Sequence, residues 1–437
     1  MKPLLLSVLC LAAVSAFADG EWPQFRGPDG QGHVASTKLP LTWSEDENIA
    51  WKTPIPGEGH SSPVISGDQI WLTTAITEEL TAEEQKKRMA DVKNPRSLQL
   101  AGRMSLQAIL INRNTGRIEE QISLFDVAEP EPKHALNSYA SPTPVISQKH
   151  VYFHFGTYGT ACVDRETMKV VWQFRDVKVD HQNGPGSSPI VWQDLLIIHF
   201  DGIDEQFLAA FDRHSGDLKW KTKRSGEMDP KPELQKAYCT PLVLEANGRS
   251  LVISPAANWV YGYDANNGEE VWKANYGKLG FSTVPRPVAE DGVVYLSTSY
   301  MQPRLVAVDI NGEGDVTDSH VRWTSDKNAP KKPSMLIVKG HLYTVTDNGI
   351  ASCLKATDKE EVWKIRVGGD FSASPLYAAG RIYFFGQNGV TTVIAEGVEG
   401  TELAKNTLID GFMASPAVAG DALFARTEKA LYRIEAK

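Results

Sequence analysis

Residues 212–222 read DRHSGDLKWKT, and three other segments repeat this pattern: DRETMKVVWQF (164–174), DANNGEEVWKA (264–274) and KATDKEEVWKI (355–365). In each segment a tryptophan follows the first residue by eight positions; these are Trp172, Trp220, Trp272 and Trp363. Weaker copies lie at 112–120 and 396–404, and a copy stretched by six residues runs from Asp309 to Trp323. Self-similarity of this kind predicts a repeat architecture.

A second recurrent element precedes each of these turns. It is a small residue, usually followed by proline, and then two β-rich runs joined by a tight turn, as in SSPIVWQDLLIIHF and SPLYAAGRIYFFG. The anchor positions lie 40 to 52 residues apart after a first gap of 81; they are Pro63, Pro144, Pro189, Pro241, Pro287, Met335, Pro375 and Pro416. With a third strand and the tryptophan strand, each unit supplies four antiparallel strands. Eight units predict an all-β fold, an eight-bladed β-propeller.

The two ends of the chain complement one another in this scheme. The last unit ends at ALYRIEAK without a tryptophan strand, whereas ENIAWKTPIPG (47–57) carries the signature of that strand at Trp51. An N-terminal strand is therefore predicted to complete the last blade and close the ring. The repeated tryptophans are predicted to pack between blades rather than to contact a cofactor.

The first 18 residues are typical of a secretory signal peptide. An apolar run from Leu4 to Val14 follows Lys2 and ends in the small-x-small motif of Ala16 and Ala18. The mature protein is therefore predicted to be exported, periplasmic or extracellular, and soluble. No later apolar stretch is long enough to span a bilayer.

The remaining chain divides into an N-terminal strap, residues 19–45, and a single propeller, residues 46–437. The strap contains EWPQFRGPDGQG (21–32), which matches none of the repeats and is expected to lie over the eighth blade. A helical insertion is predicted at about 76–105 in the first blade, because Thr81 and Glu84 fit a capping box. Such an insertion is either a solvated decoration or a lid that binds a partner.

Composition excludes several classes of function. The formal net charge is −9, from 45 Lys and Arg against 54 Asp and Glu, which argues against nucleic-acid binding. Outside the signal peptide the cysteines are Cys162, Cys239 and Cys353, too few and too far apart for a disulfide framework or a C-x-x-C metal site. No hydrolase motif such as G-x-S-x-G or H-E-x-x-H is present, and no catalytic residue is predicted. We expect a monomer.

The D-x-x-x-G-x-x-x-W units after S-P strands resemble the pyrroloquinoline-quinone-like (PQQ-like) repeat. Quinoprotein alcohol dehydrogenases and the propeller lipoprotein of the outer-membrane protein assembly machinery share that repeat. Within it, WPQFRGP, TWSEDENIAWKTPIPGEGHSSP and GEGDVTDSH resemble a group of secreted bacterial propellers, many from planctomycete-like bacteria. The resemblance covers nearly the whole mature chain and implies a fold more firmly than an activity.

The resemblance to quinoprotein dehydrogenases implies PQQ with calcium as cofactors, but the chain departs from their pattern. No two cysteines are adjacent, and the Glu, Asn and Asp set that holds calcium in those enzymes has no matching motif here. In DINGEGDVTDSH (309–320), Asp309 and Asp315 have calcium-loop spacing, yet His320 stands at the twelfth position instead of a bidentate glutamate. A turn is the favoured interpretation, and no metal site is predicted.

The loops that connect each tryptophan strand to the next S-P strand are predicted to converge at one end of the channel. The candidate ligand-binding residues are His60, Tyr139, His181, Asn183, Tyr238, Arg286 and Asp370, together with Arg26 if the strap crosses the channel. The alternative is that these groups satisfy one another's hydrogen bonds and fill the channel mouth.

Three functions follow from these observations. The favoured one is a secreted or periplasmic, non-catalytic scaffold that binds a protein, a small polar ligand or a glycan. The first alternative is a PQQ-dependent dehydrogenase, and the second is a component of outer-membrane protein assembly.

Overall fold

The structure is a computed structural model that describes residues 20–34, 38–90, 92, 95–278 and 280–436. The predicted signal peptide lies outside the described residues. Eight antiparallel four-stranded sheets follow one another along the chain and form the predicted eight-bladed β-propeller. We number the blades 1 to 8 and call their strands inner, second, third and outer in the order in which they pair.

Blades 1 to 4 follow the chain without a break. Their strands are Val64–Ser66, Gln69–Thr77, Met104–Asn112 and Ile118–Val127; Val145–Ser147, His150–His154, Thr160–Asp164 and Val170–Phe174; Ile190–Trp192, Leu195–Asp201, Gln206–Asp212 and Leu218–Lys223; and Leu242–Ala246, Arg249–Pro255, Trp259–Asp264 and Glu270–Asn275.

Blades 5 to 8 repeat the arrangement. Their strands are Val288–Glu290, Val293–Ser297, Leu305–Asp309 and Val321–Ser325; Leu336–Val338, His341–Val345, Ile350–Lys355 and Glu361–Arg366; Leu376–Ala378, Arg381–Phe385, Val390–Ala395 and Glu402–Thr407; and Ala417–Ala419, Ala422–Arg426, Ala430–Ile434 and Ile49–Pro54.

The inner strands surround the central channel. Inner strands of neighbouring blades contact each other between blades 8 and 1, 1 and 2, 2 and 3, and 5 and 6. Buried apolar side chains cluster between adjacent blades: Trp71 of blade 1 packs edge-on against Phe153 of blade 2, and Ile253 of blade 4 joins Val294 of blade 5. Each blade therefore buries its faces against its neighbours, as a propeller requires.

The repeated tryptophan packs on the turn of the next blade. In blade 2 the indole Nε1 of Trp172 donates a hydrogen bond to the carbonyl of Arg213, in the turn of blade 3. That turn is shaped by Asp212, whose Oδ1 accepts from the backbone N–H groups of His214 and Ser215. A Cβ on Gly216 of the same turn would lie 2.9 Å from the Trp172 ring, so the glycine of the repeat leaves room for the indole.

Blade 8 is built from both ends of the chain. The strand Ile49–Pro54 pairs antiparallel with Ala430–Ile434, so the N-terminal strand is the outer strand of the blade that contains the C-terminus. Trp51 donates from Nε1 to the carbonyl of Arg113 in blade 1, as Trp172, Trp323 and Trp363 donate to a carbonyl of the next blade. The pairing fastens the two ends of the ring together.

In its described residues the insertion of blade 1 contains the α-helix Ala82–Arg88, with the capping box of Thr81 and Glu84. It also contains the 3₁₀ turn Pro95–Ser97 and the short strand Leu98–Gln99, which pairs with Lys133–His134. A second two-stranded ribbon joins Gly280–Phe281 to Tyr300–Met301. No helix in the described ranges is long and apolar enough to cross a membrane.

The remaining short elements lie outside the eight blades. They are the 3₁₀ turns Gly156–Tyr158 and Pro232–Leu234, the helix Thr317–His320, the strand His33–Val34 beside the inner strand of blade 7, and the strand Gly314–Asp315 beside the outer strand of blade 4. Three acidic side chains of the 309–320 segment, Glu313, Asp315 and Asp309, are engaged there by Arg249, Thr317 and Arg322 respectively. This region is an enlarged turn, as the sequence favours.

Candidate functional site

A chamber of about 660 Å³ lies at the end of the channel where the inner strands begin. Its walls come from the loops that enter the inner strands and from the two short ribbons. The loops of successive blades converge there because every inner strand starts at the same end of the ring. The chamber is therefore the predicted meeting place of the connecting loops.

A ring of hydroxyl groups lies at the base of this chamber. In seven blades the residue directly before the anchor position is serine or threonine; these residues, the hydroxyl ring, are Ser62, Thr143, Ser188, Thr240, Ser334, Ser374 and Ser415. Each side-chain oxygen accepts the backbone N–H of the corresponding residue in the preceding blade, at 2.9 to 3.1 Å. Arg286 occupies the eighth position, in blade 5, and its backbone N–H donates to Ser334.

The strap closes the channel directly below the hydroxyl ring. Trp22 pairs with Ile65 of blade 1, and the carbonyl of Pro23 accepts from the backbone N–H of Ile146 in blade 2. Two residues later the strap has reached blade 5, where the carbonyl of Phe25 accepts from Arg286. Since blades 1 and 5 face each other in an eight-bladed ring, the strap crosses the channel axis.

The strap then continues around blades 6 and 7. Arg26 donates to the carbonyl of Met335 in blade 6, and the strand His33–Val34 runs parallel to the inner strand of blade 7. Further along, Trp43 stacks on Tyr383 of blade 7 before the chain enters blade 8. The strap therefore plugs the channel and then runs along blade 7 before it enters blade 8. The expectation that EWPQFRGPDGQG lies over the eighth blade was wrong.

The glycines of the strap make room for two buried guanidinium groups. A Cβ at Gly30 would lie 2.5 Å from Nη1 of Arg286, and one at Gly32 would lie 2.8 Å from Nη2 of Arg26. Burial, together with the charge of Arg286, lowers the pKa of Arg26 to about 9, and burial lowers the pKa of Arg286 to about 10. Both side chains remain cations at neutral pH and hold the strap against the blades.

Apolar side chains form the rim of the chamber. Leu136, Val284, Tyr300 and Met301 are between 37% and 49% exposed, and all four line the opening. Phe281, on the ribbon strand opposite Tyr300, contacts it edge-on with ring centroids 5.6 Å apart. Exposed large apolar groups that converge on a cavity are typical of a binding site.

Lysines provide most of the charge on the chamber wall. Burial lowers the pKa of Lys236 to about 8, and its Nζ donates to the carbonyl of Glu233. Lys332 lies 3.4 Å from Asp347, whose other oxygen accepts the backbone N–H of Lys331. The carboxylate of Asp347 is thereby engaged, and the balance of charge around the opening is positive.

Two histidines on the wall are neutral at physiological pH. Burial and the nearby cations Arg426 and Lys133 lower the pKa of His60 to about 3. Burial and the charges of Lys332 and Lys133 also lower the pKa of His134. Neither imidazole therefore adds to the positive charge near pH 7.

The structure brings together some of the residues that the sequence proposed. His60, Asn183 and Tyr238 line the chamber, and Tyr238 donates its hydroxyl proton to the carbonyl of His181. Arg286 and Arg26 lie behind the floor and donate to the carbonyls of Phe25 and Met335, so neither side chain forms the chamber surface.

The other three proposed residues lie away from the chamber surface. Tyr139 is buried and donates to the carbonyl of Glu131. His181 is also buried, with Nε2 accepting the backbone N–H of Thr157. Asp370 is exposed, and its backbone carbonyl accepts from Gln387.

The hydroxyl ring and Phe25, which lines the chamber from the strap, are not among the site residues predicted from the sequence. The ring residues, apart from Ser334, are the Ser and Thr of the repeated Ser-Pro and Thr-Pro pairs. These pairs predict strand starts, and their position at strand starts does not by itself predict a ring of hydroxyl groups. No sequence pattern predicts that Phe25 lines the chamber, because the path of the strap depends on contacts such as that of Phe25 with Arg286, 261 residues away.

A buried polar cluster elsewhere has the composition of a catalytic triad but cannot receive a substrate. In blade 3, Nε2 of His199 lies 3.1 Å from Asp201, and Nδ1 lies 3.3 Å from the hydroxyl of Ser254 in blade 4. Arg224 donates to all three, and each of the four residues is at least nine-tenths buried. Burial alone would raise the pKa of Asp201. The attraction of Arg224 and His199 outweighs that effect, so the pKa of Asp201 lies below its ordinary value. The cluster is a buried ion network that joins two blades.

The chamber does not fit a metal-bound quinone. Within the described residues no three His, Cys, Asp or Glu side chains are grouped to hold a metal ion, and no tryptophan lines the chamber. Cys162, Cys239 and Cys353 are buried and unpaired. The carboxylates of the described chamber lining are Glu233 and Asp347, and Asp347 is engaged by Lys332 and by the backbone N–H of Lys331, which leaves few anionic oxygens for a calcium ion.

Comparison with known proteins agrees with the repeat architecture. A family model described as outer membrane protein assembly factor BamB matches residues 161–329 and 314–402, together more than half of the chain. The chain belongs to this PQQ-like β-propeller repeat family. No curated protein matches the sequence of this family member.

Solved structures share the fold of this PQQ-like propeller at low identity. BamB from Moraxella catarrhalis is 11% identical, with a TM-score of 0.57 over 88% of this chain and 99% of that one. A europium-containing methanol dehydrogenase is 10% identical, with a TM-score of 0.65 over 94% of this chain and 90% of that one. A computationally designed protein, Ika8, is 9% identical, with a TM-score of 0.57 over 87% and 98%. At these identities the likeness concerns the fold.

Proposed function

We propose that this PQQ-like propeller is a non-catalytic binding protein whose chamber holds a ligand with a substantial apolar part. The observation that carries the proposal is the plug: the strap crosses the axis below the hydroxyl ring, so the channel is a cup with one opening. A cup with an apolar rim buries most of a ligand's surface, which a continuous pore does not. Within the described residues no three carboxylate, imidazole or thiol side chains are grouped to hold a metal ion, which supports binding rather than quinone-dependent oxidation.

A neutral fluorescent probe tests this function. N-phenyl-1-naphthylamine should bind the purified mature protein with enhanced emission and saturate at one probe per chain. Tyr300→Ala should weaken binding by about tenfold, because loss of apolar contact worth about 1.4 kcal/mol changes the affinity by that factor. Val398→Ala is a matched control: Val398 is exposed but lies away from the chamber. Failure of the wild type to bind, or equal loss in both variants, would overturn the proposal.

The proposal includes export of the mature chain as a monomer. The apolar run and cleavage motif of residues 1–18 support it. Expression of the full chain in a Gram-negative host, followed by fractionation and mass spectrometry, should give a periplasmic protein that begins at Asp19. A protein retained in the cytoplasm with its first 18 residues intact would contradict this part.

A second candidate function is participation in outer-membrane protein assembly. The match to the BamB family favours it, and so do the exposed outer strands, among which Val170–Phe174 carries half-exposed Val170 and Val171. Such strands offer unpaired backbone groups to another chain. Affinity purification from a native-like host should then recover a β-barrel partner, and recovery of the propeller alone would count against this candidate.

A further inference from the structure

The hydroxyl ring carries O–H donors that no protein acceptor uses. Each of the seven oxygens accepts a backbone N–H from the neighbouring blade, which fixes its orientation and leaves its own proton free to donate. In the described residues none of these hydroxyls donates to another protein group, and all seven are 6% exposed or less and line the chamber. Donors without a protein acceptor are satisfied by water or by an acceptor on a bound molecule, so the ring can supply hydrogen bonds to a ligand that displaces water from the chamber.

Buried cations surround this ring. Arg286 occupies its eighth position, Arg26 lies under the floor, and Arg426 donates to the carbonyl and hydroxyl of Ser61, next to Ser62 of the ring. The hydrogen bonds of these guanidinium groups go to carbonyl, amide and hydroxyl oxygens of the described chain, not to carboxylates. In the described residues no carboxylate forms a direct ion pair with them, although Asp29 attracts both Arg26 and Arg286, and burial strengthens the electrostatic interaction of each guanidinium with a nearby charge.

This concentration of positive charge stands out in a chain whose net charge is −9. The lysines of the chamber wall add to it: Lys236, Lys331 and Lys332 outnumber the two lining carboxylates, Glu233 and Asp347, and of these lysines only Lys332 forms an ion pair in the described part of the chain. An anion that enters the cup meets a positive potential and then a ring of aligned O–H donors. Oriented donors and cations in a water-poor cavity bind anions well because they need no reorganisation.

We propose that the hydroxyl ring binds the carboxylate of an amphipathic ligand whose apolar body lies along Phe281, Tyr300 and Leu136. The proposal rests on the function proposed above and specifies its ligand class. A carboxylate suits the ring better than a dianionic phosphate, because the guanidinium groups are already engaged by carbonyls and offer potential rather than bidentate ion pairs. A medium-chain fatty acid and the C-terminus of an apolar peptide share this chemistry.

Calorimetry with matched probes tests the charge preference without any variant. Octanoate should bind about tenfold more tightly than octanol, and octylammonium should bind most weakly, at a pH near 7 where octanoate is ionised. Acetyl-Leu-Leu-Phe as the free acid and as the carboxamide distinguishes the two sources: a peptide ligand binds as the acid more tightly than octanoate does. Equal affinity for octanoate and octanol would overturn the inference.

One substitution separates the donor role of the ring from its structural role. In Ser374→Asp the carboxylate still accepts the backbone N–H of Ser334, but it has no proton to donate and repels an anion. This variant should lose about tenfold in octanoate affinity and clearly less in octanol affinity, because only octanoate is repelled by the new charge, while Ser374→Thr keeps the hydroxyl and the preference. Ser123→Asp adds the same charge on the exposed outer strand of blade 1 and controls for net charge.

The outcomes distinguish the two proposals. If N-phenyl-1-naphthylamine and octanol bind but octanoate shows no preference, the anion inference fails and the binding function stands. If Ser374→Asp folds, as circular dichroism and thermal melting report, and binds octanoate as the wild type does, the ring is not the anion site. If none of the probes binds, both proposals fail.

Discussion

Acidification should destabilise this propeller through histidines buried in their neutral form. His154 lies in the second strand of blade 2 with its Nδ1 2.9 Å from the hydroxyl of Thr160, and His181 lies beneath the chamber wall. Burial, with a smaller effect of His181, lowers the pKa of His154 to about 3. Burial lowers the pKa of His181 to about 4, against an opposing effect of Asp204. Both imidazoles are therefore largely neutral in the folded chain at pH 5.

The sign and the size of the effect follow from proton linkage. In the unfolded chain these histidines take up protons below a pKa of about 6.5, whereas the folded chain does so only below about 4. The free energy of unfolding is therefore unaffected well above pH 6.5 and falls as the pH drops towards the folded pKa. Between pH 7 and pH 5 each histidine removes about 2 kcal/mol, so His154 and His181 together remove about 4 kcal/mol.

Urea titrations at pH 7 and pH 5 measure this loss, with the m-value compared to confirm that the transition is the same. A variant with His154→Gln and His181→Gln should be less stable than the wild type at pH 7 but should lose about 4 kcal/mol less between the two pH values. His60, whose pKa is also about 3, adds a further loss that both proteins share. A wild type whose stability is unchanged at pH 5, or a variant with the full loss, would refute the reasoning.

Three further predictions concern the architecture. Deletion of Ile49–Pro54 should unfold the ring, because it removes the outer strand of blade 8; a truncated chain that keeps its circular dichroism spectrum and melting transition would contradict this closure. Asp201→Asn should cost about 3–5 kcal/mol in urea titration by leaving Arg224 buried without a counter-charge, and adding Arg224→Met should recover part of the loss rather than deepen it. Gly268→Ala should cost about 2 kcal/mol, because its Cβ would lie 2.4 Å from the tryptophan of the preceding blade; Gly248→Ala, with a similar φ and open space, is the control and should cost less.

The fold was predictable from the sequence because the residues that form the turns and strands of each blade lie close together within one repeat unit. Asp212 and Gly216 shape a turn within one blade, and Trp220 marks the strand that follows it. The same pattern also encodes the contact between blades, since the tryptophan of one blade covers the glycine of the next, as Trp172 covers Gly216. The repeat thus specifies both the blade and its packing against the next blade. The number of blades follows from the eight anchor positions in the sequence.

The site was less predictable because its parts come from different levels of structure. Loops that converge could be named in advance, and His60 and Asn183 do line the chamber. Whether a particular loop side chain points inward depends on local hydrogen bonds that the sequence does not state: Tyr139 turns away to the carbonyl of Glu131. The strap matches none of the repeats, so their pattern does not predict its path. Its path across the channel depends on contacts distant in sequence, such as that between Phe25 and Arg286, 261 residues further along the chain.

The strap couples ligand binding to the stability of the ring. It contacts blades 1, 2, 5, 6 and 7, and the same chain then supplies the outer strand of blade 8, so the floor of the chamber cannot move far without disturbing the closure. Arg286 contacts both the hydroxyl ring and the strap: its backbone N–H donates to Ser334 of the ring, and its guanidinium donates to the carbonyl of Phe25 in the strap. A ligand that occupies the cup binds the closed ring and not the unfolded chain, so at a hundredfold excess over its dissociation constant it should add about 2.7 kcal/mol to the free energy of unfolding. Binding in the chamber therefore raises the free energy of unfolding of the ring without a lid that closes over the ligand.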